Sequence, residues 1–172
     1  AGLVCMEMIS AKAILYHNRN TESLLEIHPQ EGPVSLQLFG SDPAIMADIA
    51  ARIEDRPFQI LDINMGMNGI DELEMMKRAV YEVISVTNLP LCIDSSHVEI
   101  IEAALRIYPG RALINSISLE EKKCRPLMRI AKKYGAMAIL LPLSDKGLPE
   151  SLDEKKEIIH RLLEIADEEG LS

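Results

Sequence analysis

Six short runs of apolar and β-branched residues recur along the chain, at Leu3–Ile9, Val34–Phe39, Phe58–Ile63, Leu89–Ile93, Ala112–Ile117 and Ala136–Leu141. None alternates strictly between apolar and polar positions, which is the pattern of strands covered on both faces. A helical periodicity follows each run, so the pattern predicts a parallel sheet built from βα units. Leu73, Met76, Val80, Val83 and Ile84 fall on one helical face, as do Ile100, Ile101, Ala104, Leu105 and Tyr108. Both stripes are expected to lie on the sheet. Ser41–Asp42–Pro43 reads as a cap with a first-turn proline, and Ser151 with Glu154 as a capping box ahead of Ile158, Ile159, Leu162 and Leu163. Tyr108–Pro109–Gly110 and Tyr134–Gly135 read as helix ends.

The chain has 172 residues, enough for a single domain over 1–172 but too few for an eight-unit barrel of roughly 250 residues. Six units cannot close that barrel, because strand number, tilt and shear are coupled. The expected fold is therefore α/β, six βα units with a parallel sheet derived from a TIM barrel, partial or rearranged. An open doubly wound sheet is the alternative. The first and last strands become edges, and apolar edges in water invite pairing, so a homodimer is expected.

A net charge of −9 disfavours nucleic acid as a partner, since such binding relies on clustered Lys and Arg. Cys5, Cys92 and Cys124 are far apart and in no C-x-x-C spacing, so neither a disulfide framework nor a zinc site is expected, and a reducing cytoplasm fits. No apolar run approaches the roughly 18 residues of a membrane span.

Polar residues gather just past the apolar part of each run: Glu7 and Ser10, Gln37, Asp62 and Asn64, Asp94 and Ser95, Asn115 and Ser116, Ser144 and Asp145. In βα proteins ligands bind at that edge. In Asp62-Ile63-Asn64-Met65-Gly66 the two polar side chains alternate and so share one side of the strand, while the glycine allows a tight exit. Asp94 and Asn115 come from the next two units, at similar height in a parallel sheet. A carboxylate beside an amide suits a ring that offers adjacent N–H donors and a carbonyl, as a pterin or guanine edge does. That these groups instead cap helices or tie loops together fits the spacing equally well. His97 reads as a solvated first-turn residue, His17 and His28 lie in a polar connector, and His160 sits on a charged helix. None has a partner at metal-ligand spacing, so no metal site is expected. Lys12 reads as an exposed residue at a helix start. Met65, Met67, Met75 and Met76 are expected to fill irregular core gaps, and Glu120–Lys123 and Asp153–Glu157 to be solvated charge runs.

From Asp62 onward, DINMGMNGIDELEMMK, LPLCIDSSHVEIIEAALRIYPGRALINSIS and KKYGAMAILLPLSDKGLPESLDEKKEII resemble the folate-binding domain of cobalamin-dependent methionine synthase and related corrinoid methyltransferases. The resemblance implies methyltetrahydrofolate as ligand. Asp94 and Asn115 would bind the pterin ring, with Asp62 and Asn64 on the preceding strand. It also implies a methyltransferase activity whose later strands, which carry the group acting at pterin N5, lie beyond Ser172.

From Ala1 to about Gly66, AGLVCMEMISAKAI, PVSLQLFGSDP and ILDINMG are similar instead to the flavin-dependent tRNA-dihydrouridine synthases. That likeness implies FMN contact at Gln37 and a uracil-facing Asn64. The family's catalytic cysteine follows the glycine, where this chain has Met67, and a thioether cannot donate a proton. Both families share D-I-N-x-G at a strand end. The two resemblances together imply a natural or engineered chimera, with a dihydrouridine-synthase-like segment over 1–66 and a pterin-binding segment over 62–172. It would carry at most residual pterin or folate binding, no bound cofactor and no turnover. No catalytic residue is assigned.

Overall fold

The computed structural model describes residues 2–16, 19–28 and 30–171. His17 lies outside them. The described residues hold seven strands, β1 (Val4–Cys5), β2 (Ile9–Ser10), β3 (Val34–Phe39), β4 (Ile60–Asn64), β5 (Leu91–Asp94), β6 (Leu113–Leu119) and β7 (Met137–Ser144), and the helices α1 (Ala11–Leu15), α2 (Arg19–Leu24), α3 (Pro43–Ile53), α4 (Glu72–Ile84), α5 (Val98–Ile107), α6 (Cys124–Tyr134) and α7 (Leu152–Glu169); α1 and α2 follow β2, and strand and helix alternate from β3 onward. All strand pairs are parallel, in the order β1-β3-β4-β5-β6-β7, with β2 also paired to β3. The sheet curls into a half-barrel. A doubly wound sheet needs a reversal of strand order; here each strand adds beside the last, which rules out that alternative.

The expected first strand breaks in two. Cys5 pairs with Ser35 and Ile9 with Leu38, so this edge spends one more residue than β3 between the two pairings and bulges at Met6–Met8. The last strand is irregular too. Ser118 pairs with Leu141 but Leu119 with Ser144, which leaves Pro142 and Leu143 as excess residues on an edge, where a proline costs no ladder bond.

Alternation sets the two faces of the sheet. Leu36, Leu38, Leu61, Ile63, Leu91, Ile93 and Ile114 have no exposed surface and lie under Met46, Ile49, Met76, Val80, Val83, Ile101, Ala104 and Met128 of the helices. Leu73 and Leu163 do not join them, being 39% and 48% exposed. In α4 the inward face is instead Met76, Ala79, Val80 and Val83. Met65 and Met76 fill the core as expected, but Met67 stands 45% exposed.

Side-chain caps fix where α3, α4 and α7 begin. The Asp42 carboxylate accepts from Ala44 N, the Asp71 carboxylate from Glu74 N and Ser151 Oγ from Glu154 N, each satisfying a first-turn donor. The Glu154 carboxylate accepts from Glu150 N rather than from Ser151 N. The Tyr108 hydroxyl accepts from Leu91 N at 3.1 Å, tying the end of α5 to the start of β5. Among the described residues no helix is long and apolar enough to cross a membrane.

Candidate functional site

The register aligns the polar strand ends in rows. Gln37 pairs with Asp62, Asn64 with Asp94, and Asp94 with Asn115. Residues paired in register share a face, so these side chains all point into the hollow of the half-barrel.

Two hydrogen bonds then cross that hollow, each skipping a strand. Gln37 Nε2 donates to Asp94 Oδ2 at 2.6 Å over β4, and Asn115 Nδ2 donates to Asp62 Oδ2 at 2.9 Å over β5. In a flat sheet strands two apart are separated by roughly 9.6 Å, so the curl is what lets these short side chains meet. Asn64 has a divided role: its Oδ1 accepts from Gly66 N at 2.9 Å, while its side chain also hydrogen-bonds Asp94. It therefore shapes the exit of β4 and holds the next carboxylate at once.

Burial decides the proton affinities. Asp62 is 1% exposed, and its Oδ1 is a buried atom with no hydrogen-bond partner. Desolvation, aided by the nearby Asp94 charge and opposed by the Asn115 hydrogen bond and the Cys92 thiol, lifts its pKa to about 7. Asp94 is raised as well, by burial first and by Glu72 last, against the hydrogen bonds from Asn64 and Gln37. Burial and then the Asp62 charge push up the thiols of both Cys92 and Cys5.

A cavity of about 270 Å³ opens beside β5 and β6, lined by Asp94, Ser96, Asn115, Ser116 and Lys123, with Leu141 and Leu143 of β7 opposite. Asp94 and Asn115 thus border an open space at the strand ends. Asp62, Asn64 and Gln37 do not line it; they stand behind, bonded to the two that do. Lys123 is paired with Glu120 at 2.9 Å, which also accepts from Ser118 Oγ at 2.5 Å, so the cavity has no free cation among its lining residues.

The sequence reading missed Glu72. Its Oε1 accepts from Ser95 Oγ at 2.6 Å and its Oε2 lies 4.0 Å from His97 Nε2. Only its place in the first turn of α4 was visible in the sequence, and that position usually means a solvated, dipole-favoured carboxylate. His97 has no capping hydrogen bond from its side chain, and its imidazole is half exposed. Among the described residues no group of three or more His, Cys, Asp or Glu is arranged to hold a metal ion.

Residues 37–167, from the middle of β3 to near the end of α7, match the family model described as pterin binding enzyme. The chain belongs to that family. Residues 1–67 match a second model, described as dihydrouridine synthase (Dus). The chain is therefore a chimera, a dihydrouridine synthase fragment joined to a domain of the pterin binding enzyme family. The two matches overlap over residues 37–67, which hold the second half of β3, α3, β4 and the turn that follows. Both contributors accordingly agree on the strand that carries Asp62 and Asn64, and strand register passes through the junction undisturbed.

Proposed function

We propose that this half-barrel retains weak binding of a pterin, methyltetrahydrofolate being the form expected, and performs no turnover. The observation that carries the reading is the bonded pair of rows in the hollow. Asp94 and Asn115 border the cavity, while Gln37 and Asn64 hold the one and Asp62 holds the other. A carboxylate so placed accepts from adjacent ring N–H groups, and the amide beside it meets a ring oxygen or nitrogen. Preorganised groups lose little entropy on binding. Catalysis would need in addition a group that protonates or hydrogen-bonds the ring nitrogen bearing the methyl, and no residue of the chain is assigned that role.

Flavin-dependent uridine reduction is the weaker reading. Gln37, its expected flavin contact, donates to Asp94, and Met67 offers no acidic proton at the position of the general acid. We further propose that the chain associates with itself through its edge strands, since β7 leaves Met137 and Leu141 44% and 38% exposed. Calorimetric titration with methyltetrahydrofolate tests the central reading. Heat fitting a single site of millimolar or tighter affinity, lost in Asp94→Ala and Asn115→Ala, supports it; no heat at millimolar ligand contradicts the binding, and methyl transfer to a corrinoid acceptor contradicts the absence of turnover.

A further inference from the structure

Glu72 enters the site from outside the sheet. It stands in the first turn of α4, yet its side chain is only 17% exposed, because it folds back over the ends of β4 and β5. Its Oε1 accepts a hydrogen bond from the Ser95 hydroxyl at 2.6 Å, and Ser95 Oγ in turn accepts from His97 N at 3.1 Å. Ser95 itself is 6% exposed, so this is a built contact. On the other side a Cβ at Gly66 would stand 3.4 Å from Glu72 Oε2 and 3.2 Å from Asn64 Oδ1. The glycine therefore leaves room for both side chains.

We propose that Glu72 is a positioning residue of this site: through Ser95 it clamps the turn after β5 to the start of α4 and so fixes Asp94 at the cavity wall. The proposal rests on the pterin-binding reading for its consequence, though not for its geometry. The charged and titratable groups around Asp94 are Glu72 and His97 from the rim, Asp62 from β4, the Cys92 thiol from β5 itself, and the Glu120–Lys123 pair that also lines the cavity. Negative charge on Glu72 raises Asp94, and Asp94 and Asp62 repel one another as well. Glu72→Gln keeps an acceptor for Ser95 and removes the charge; Glu72→Ala removes both.

The test follows the Asp94 carboxyl carbon by NMR through a pH titration of the full chain without ligand, then measures methyltetrahydrofolate affinity in the same variants. The expected result is a lower Asp94 midpoint in both variants, affinity weakened roughly tenfold or more in Glu72→Ala, and most of that affinity restored in Glu72→Gln. An unchanged Asp94 midpoint in the folded Glu72→Gln protein overturns the proposal, as does wild-type affinity in Glu72→Ala. If the wild-type chain binds no pterin, the pterin reading fails, and the Asp94 titration alone still decides whether Glu72 acts on it.

Discussion

Asn115 on β6 donates to Asp62 on β4 at 2.9 Å, reaching over the whole width of β5. The bond gives Asp62 Oδ2 a partner and leaves Oδ1 with none. A buried carboxylate with one bare oxygen is an unfavourable ion, and its pKa near 7 says that the fold prefers it protonated.

A pH-dependent stability follows from that preference. In the unfolded chain Asp62 ionises near the ordinary aspartate value of 3.8, and in the folded chain at about 7. The folded state therefore holds a proton that the unfolded state has lost over that window, so the stability this group contributes is intact below about pH 4, falls as pH rises towards 7, and is gone above it. Asp62→Asn keeps an acceptor for Asn115 and carries no charge. It is expected to gain about 2–4 kcal/mol over the parent at pH 8 and little at pH 4, as read by urea unfolding at the two pH values.

Met67 stands at the position where the likeness to dihydrouridine synthases implies an acidic thiol, and its side chain is exposed. Met67→Cys is expected to change stability by less than about 0.5 kcal/mol and to yield no dihydrouridine when the protein is supplied with flavin, reductant and uridine-containing RNA. A positive assay by mass spectrometry would revive the flavin reading, since restoring one proton donor would then have sufficed.

Gly66 matters for space rather than for backbone freedom. A methyl group there would press on Asn64 Oδ1 at 3.2 Å and touch Glu72 Oε2 at 3.4 Å, and both side chains already have partners. Gly66→Ala is expected to cost about 1–2 kcal/mol and to weaken pterin affinity, whereas Gly2→Ala, where a Cβ would meet nothing within 4 Å, should be silent in both measurements.

The free edge of β7 predicts self-association. Met137 and Leu163 border an open groove of about 420 Å³ with Ala138, Leu140 and Ala166. Light scattering is expected to give a dimer mass for the parent chain and a monomer mass for Met137→Lys, because a charge at that edge must be desolvated to dock. A monomeric parent would show that the edge is tolerated in water.

Much of this architecture could be read from residue order. Apolar runs located β3 to β7 to within a few residues and merged β1 with β2 into one, and Asp42, Ser151 and Gly135 marked helix limits through local chemistry that acts within one turn. The strand ends were misjudged for a physical reason. Asn64 and Asp94 are polar yet remain in the ladder, because they face the hollow, and an apolar pattern stops at such residues. The bulges at Met6–Met8 and Pro142–Leu143 come from counting against a neighbouring strand, which no single segment reveals. At the site, residue types and spacing singled out Asp62, Asn64, Asp94 and Asn115. They could not tell which two reach the cavity, because that depends on the curl that joins strands two apart. Glu72 was hidden for a related reason: its partners, Ser95 and His97, are more than twenty residues away in sequence.

The most direct test is a titration of uniformly ¹⁵N-labelled protein with methyltetrahydrofolate, followed through backbone amide shifts. The account predicts saturable shifts centred on Asp94, Ser95, Asn115 and Ser116, with smaller ones at Gln37 and Asn64. A spectrum that stays unmoved at millimolar ligand, or that moves only along β7 and α7, would contradict it.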